Sequence, residues 1–164
     1  MLITTSRKPS QRTRSFCKSL VRVFYSSYIN RGKMSIRDVL IKSSELDFDK
    51  IAVISELKGN PNRIDFYDLN GELIFSVELT VGIPNSNANS KSRVKTENLR
   101  IQSEVDELYE LGNIMGIPKF KEGFAPENLI VIKQGDENNR AIIEFYGSNG
   151  IVTGPKMFIK SWSK

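Results

Sequence analysis

The sequence predicts an α+β domain, with an antiparallel sheet built from two related strand-hairpin units and packed on one main amphipathic helix. Three observations predict it. From Lys50 onward, short β-branched runs alternate with turn residues. The pattern around Ile64, "RIDFY" then Asn70-Gly71, returns 79 residues later as "IEFY" then Asn149-Gly150. Between the two copies, residues 99–115 carry Ile101, Val105, Leu108, Leu111 and Met115 at helical spacing.

The chain of 164 residues is the length of about one domain plus an extension, and its 39% apolar share is enough for one core. No apolar run approaches the roughly 20 residues that cross a bilayer as a helix. Composition also narrows the chemistry. There is no histidine and a single cysteine, Cys17, so no Ser-His-Asp triad, Cys-His pair, Cys/His zinc site or internal disulfide can form. Carboxylates, Lys, Tyr and Ser remain, which sets the expectation against an enzyme. No cofactor or metal is expected. Gly-rich stretches such as "YGSNG" (146–150) lack the spacing of a nucleotide loop.

Charge divides the chain at residue 33. Residues 1–33 hold eight of the 24 basic side chains (Arg7, Lys8, Arg12, Arg14, Lys18, Arg22, Arg31, Lys33), and the first acid is Asp38. The other 16 face all 19 acids, so the remainder carries −3. On a helix over 14–24, Arg14, Lys18 and Arg22 form one stripe, and Phe16, Leu20, Val23 and Phe24 lie opposite. An Arg- and Ser-rich, acid-free, amphipathic segment has the composition of an organelle transit peptide. Residues 1–33 are therefore read first as a mitochondrial presequence preceding a domain at 34–164. A basic nucleic-acid arm, as in a small viral structural protein, comes second. A solvated tail, or a cytoplasmic protein whose translation starts at Met34, comes third.

Within the body, "KIAVISEL" (50–57) reads as a strand, "GNPN" as a turn, and "RIDFYDL" with "ELIFSVEL" as a hairpin about Asn70-Gly71. A two-residue turn sets Phe66 opposite Phe75, Ile64 opposite Val77 and Tyr67 opposite Ile74. One face is then apolar throughout. The second copy runs "NLIVIK", "AIIEFY" and "KMFIKSW" (156–162), with Gly154-Pro155 expected to interrupt the returning strand. A shorter helix or coil is expected over 35–46. Residues 85–98, "NSNANSKSRVKTEN", read as a mobile basic loop. Asn98 is the expected cap of the main helix, and Gly116 with Pro118 its stop.

Two functions from different classes fit. The first is single-stranded RNA or DNA binding, with Lys91, Arg93, Lys95 and Arg100 on phosphates and the outward tyrosines Tyr67 and Tyr146 on bases. Asp65 and Glu144, their neighbours, would repel phosphates, and both tyrosines also suit a half-wet strand surface. The order of strands, helix and strands resembles the plan of the Whirly and transcription-coactivator single-strand binders, without their motifs. The second is a structural or assembly subunit of an organellar complex, or a small viral structural protein with a basic arm, with protein partners or a second copy of itself. The first is the leading expectation.

Overall fold

The structure, a computed structural model, describes residues 1–82, 92–121 and 127–164. Its strands are β1 (Leu2–Thr5), β2 (Ser27–Tyr28), β3 (Lys50–Leu57), β4 (Asn60–Asp68), β5 (Leu73–Gly82), β6 (Arg100–Ser103), β7 (Leu129–Asp136), β8 (Asn139–Tyr146) and β9 (Val152–Ser163). Its helices are α1 (Gln11–Val21), α2 (Ile36–Glu45) and α3 (Glu110–Met115). All nine strands form one mixed sheet in the order β2-β1-β3-β4-β5-β9-β8-β7-β6. β1 runs parallel to β3, and β6 parallel to β7. Each parallel pair is followed by an antiparallel meander, β3-β4-β5 and β7-β8-β9, and the meanders join through β5 and β9. The two hairpin units noted in the sequence thus occupy equivalent places in the two halves of the sheet.

A sheet of this width cannot stay flat, because strand twist accumulates. One small apolar cavity of about 30 Å³ touches Ala52 of β3, Ile64 of β4, Val77 of β5, Ile101 of β6, Ile132 of β7 and Ile143 of β8. Side chains so far apart in strand order can share a cavity only if the sheet curls around its apolar face. That concave face holds the main core.

Helix α1 fills the concavity. Ser10 caps it, its hydroxyl accepting the Thr13 N–H at 3.2 Å. Thr13, Phe16, Cys17 and Leu20 are buried along one side, and the helix packs on β1, β3, β4 and β9. Beyond its end, Phe24 meets Phe145 of β8 edge-on, with ring centroids 5.3 Å apart. Gly154 of β9 permits this approach, since a Cβ there would lie 2.7 Å from the Val23 Cγ1. The opposite, convex face is covered at one end by α2, which begins in a capping box of Ser35 and Asp38. Val39 there joins Leu2, Ile51 and Val53 in a second, smaller core.

Four sequence expectations need correcting. The sheet is not packed on one main amphipathic helix over 99–115, nor does it follow the Whirly-like plan. Arg100–Ser103 form β6, Asp106–Tyr109 a 3-10 turn, and only Glu110–Met115 are α-helical. Leu99 and Ile101 are two apart, so they suit a strand as well as a helix. Pairing with β7 decides between them, and the Ser103 hydroxyl then breaks the chain by donating to the Val105 carbonyl at 2.7 Å. The expected stop is in place: Gly116 ends α3 at φ 67°.

Residues 1–33 are not a presequence or a free arm. β1 is hydrogen-bonded into the sheet beside β3, and Leu2, Ile3, Phe16 and Cys17 are fully buried. The amphipathic pattern was real, but its apolar side faces a protein core. The charge boundary at residue 33 falls between β2 and α2, within the fold.

The hairpin register holds at Ile64↔Val77 and Phe66↔Phe75, but a bulge sets Tyr67 opposite Leu73. The turn is longer than two residues because the Asp68 carboxylate accepts the N–H groups of Asn70 and Glu72. Finally, β9 runs unbroken through Pro155. The proline lies where the β8–β9 register slips and just before the last β5 pair, Gly82↔Lys156, so its missing N–H costs no ladder bond.

Phe16 separates a tail from a core helix. Phe16→Ala should lower the unfolding free energy by about 3–5 kcal/mol in urea denaturation, as a buried truncation does. A loss below about 0.5 kcal/mol, typical of a surface position, would contradict the placement of α1.

Candidate nucleic-acid interface

Helix α1 presents its other side to solvent, and that side is basic. Arg7 and Lys8 precede it, and Arg12, Arg14, Lys18 and Arg22 run along it; all six are exposed. Among the described residues, none of them takes part in an ion pair. Helices favour acids in their first turn and cations in their last, each worth about 0.3–1 kcal/mol. α1 has no acid in its first turn and places Arg12 and Arg14 near that end. The acid comes from β3 instead: Glu56 accepts the Ser10 N–H at 2.9 Å and the Thr13 hydroxyl. The Thr13 bond chiefly, with help from Ser10, holds the Glu56 carboxyl below its ordinary range. Lys8 sits at φ 56°, a left-handed conformation that costs a non-glycine residue about 1–2 kcal/mol. These cations therefore stand where stability alone would not put them. Arg12 also reaches the Val81 carbonyl at 3.4 Å, tying the ridge to β5. The one thiol beneath it is inert, since burial pushes Cys17 up to about 12.

The residues singled out in the sequence fall in three places. Lys91 lies outside the described residues. Arg93, Lys95 and Arg100 belong to a segment tied down on both sides: the Arg93 carbonyl accepts the Ser148 N–H at 2.8 Å, and the Lys95 N–H donates to Asn128 Oδ1 at 2.7 Å. Arg93 and Lys95 are exposed, and Arg100 is half-buried. Arg100 lines a groove of about 350 Å³ shared with Phe24 and Tyr25, just past the end of α1.

Tyr67 and Tyr146 lie elsewhere, on the convex face. Both are half-buried. Tyr67 packs against the small core under α2, and desolvation first, then Asp65, raises its phenol pKa. β4 and β8 are separated by β5 and β9, three strand spacings or roughly 14 Å, so the two rings form no joint platform. The carboxylates beside them are neutralised. Asp65 accepts from Arg63 at 2.7 Å and from the Ser76 hydroxyl at 2.7 Å, and Glu144 is bridged by Lys133 at 2.7 Å and Lys156 at 2.8 Å. Sequence reasoning missed Tyr25, which is 79% exposed, because it sat inside the supposed presequence.

The chain superposes on the crystal structure of Mil, an archaeal Imp4-like protein, with a TM-score of 0.81, 34% identity and 99% of each chain covered. It also shares its fold with a probable ribosomal biogenesis protein from Aeropyrum pernix K1, at a TM-score of 0.76, 23% identity and coverage of 98% and 94%. Two curated relatives are each named a probable Brix domain-containing ribosomal biogenesis protein. That of Methanothermobacter thermautotrophicus is 59% identical over 71 residues, 43% of either chain, and that of Methanosarcina barkeri is 44% identical over 80 residues, 49% of either. These matches span about half the length of the curated relatives. No family model matches the chain.

The chain belongs to the Imp4-like family, and about half of it matches curated proteins named for a Brix domain. Its relatives are archaeal proteins, which overturns the mitochondrial and virion locations along with the transit peptide. The two curated relatives carry the names of biogenesis proteins and not of enzymes. Among the described residues no helix is long and apolar enough to cross a membrane.

Glu56 gives a pH test of how α1 is held. Its folded pKa lies below the unfolded value of about 4.3, so its bonds stabilise the fold above that value and are lost as pH falls through the depressed one. Urea titrations from pH 7 to pH 3 should show the native chain losing more stability than Glu56→Gln, the two curves converging at the acid end. Parallel curves would contradict the cap.

Proposed function

We propose that the chain is an RNA-binding ribosome-assembly factor that grips ribosomal RNA by its phosphate backbone along α1. The observation that carries this reading is the row of six exposed cations from Arg7 to Arg22, none of them in an ion pair among the described residues, before and along a helix anchored in the core. A rigid basic ridge binds a polyanion without ordering a tail, and releases counterions as it does so. The names of the archaeal relatives supply the ribosomal context. Arg100, in the groove past the end of α1, adds to this basic surface, with Lys95 one residue before the groove's rim at Thr96. Phosphate contacts position an RNA without reading its sequence, so the ridge suits a factor that holds rRNA segments in place during assembly. Single-strand stacking on Tyr67 and Tyr146 is not part of the reading.

The test is a salt series of RNA binding by fluorescence anisotropy. Replacing Arg14, Lys18 and Arg22 together by Ala should weaken binding uniformly across sequences and reduce the slope of log K on log salt by about 3, one per lost phosphate contact. Lys8→Gly, which relieves the left-handed backbone, should weaken binding without destabilising the fold. An unchanged affinity and slope in the triple variant would remove α1 from the interface.

A further inference from the structure

We propose that Tyr25 and the groove beside it form a binding site for one unpaired RNA base, next to the backbone gripped by α1. The site rests on the RNA reading above and adds a ligand feature to it. Tyr25 follows Arg22, the last cation of the ridge, by three residues. It is 79% exposed, the most exposed large hydrophobic side chain among the described residues. One edge of its ring meets Phe48, at 6.0 Å between centroids and an interplanar angle of 63°. A solvent-facing aromatic ring with a free face can stack a base.

The groove next to it has about 350 Å³, at the small end of the roughly 300–1,000 Å³ of ligand pockets. Phe24, Leu99 and Met115 give it apolar walls, and Glu97 and Arg100 put one carboxylate and one guanidinium on it. The two charges divide the work. Arg100, with Lys95 one residue before the rim at Thr96, favours the phosphates on either side of an extruded nucleotide. Glu97 repels phosphate but accepts from an exocyclic amino group, as acidic side chains do from cytosine N4. Cytosine, adenine and guanine carry such a group and uracil does not. The site therefore takes an unpaired base with an exocyclic amino group, flanked by phosphates that reach α1.

The experiment compares the full chain on three short RNA hairpins: a perfect stem, the same stem with one bulged adenine, and the same stem with one bulged uracil. The bulged adenine should bind roughly five- to hundredfold tighter than the perfect stem, and tighter than the bulged uracil. Tyr25→Ala should abolish the advantage while leaving the perfect stem unaffected. Tyr25→Phe should keep it, and Glu97→Gln should narrow the adenine–uracil gap. Unaltered thermal unfolding of the Tyr25 variants checks that the fold is intact. Equal binding of all three RNAs, or a Tyr25→Ala loss of the same size on each, would overturn the stacking site. It would leave the RNA reading standing, provided the α1 triple variant still loses affinity for the perfect stem. Failure of the native chain to bind any of the three would overturn both.

Discussion

The insertion of α1 into the concave side of the sheet is the contact on which the rest of the molecule depends. Nine strands curl around one apolar face, and β1 and α1 supply Ile3, Phe16, Cys17 and Leu20 to it. Without them the main cluster loses four residues that are 2% exposed or less. Deleting buried side chains costs both transfer energy and the cavity left behind. The first 24 residues are thus held by the same forces that hold the sheet. Their cations inherit a rigid support that a tail would lack.

That support changes what the charge can do. Elsewhere the acids and bases of this protein neutralise one another locally, as at Asp65–Arg63 and at Glu144 between Lys133 and Lys156. Among the described residues the outer side of α1 has no such ion pairs, and the helix begins with arginines at the end of its dipole that disfavours them. Glu56 compensates from β3 by satisfying the backbone and Thr13 while leaving the arginines facing water. Packing fixes the inner side of the helix and leaves the cations of the outer one facing water. Tyr25 and Arg100 extend that surface beyond the last turn.

Much of the fold was legible where a strand's own alternation was decisive. Lys50–Leu57 forms a strand with the bounds read from the sequence, and Ile64, Phe66, Phe75 and Val77 share the buried face of their hairpin. What escaped depends on information that a local pattern does not carry. Leu99 and Ile101 fit two periods, and only the partner strand β7 chooses between them. The segment 14–24 was correctly read as amphipathic, but amphipathicity does not say whether the apolar side meets a membrane, an import receptor or a curled sheet. The error there moved the site. A reading that treats residues 1–33 as removable leaves Tyr67 and Tyr146 as the aromatic candidates, which the fold separates and half-buries, and omits Tyr25.

Native-state hydrogen exchange of the full chain, read by mass spectrometry, is the most direct test of this account. Amides of α1 from Phe16 to Leu20 should be protected to the same order as those of β3 and β4, since their opening requires the shared core to open. Exchange of the α1 amides at the rate of an unstructured peptide, with β3 and β4 still protected, would show the helix detached from the core and would contradict the account at its base.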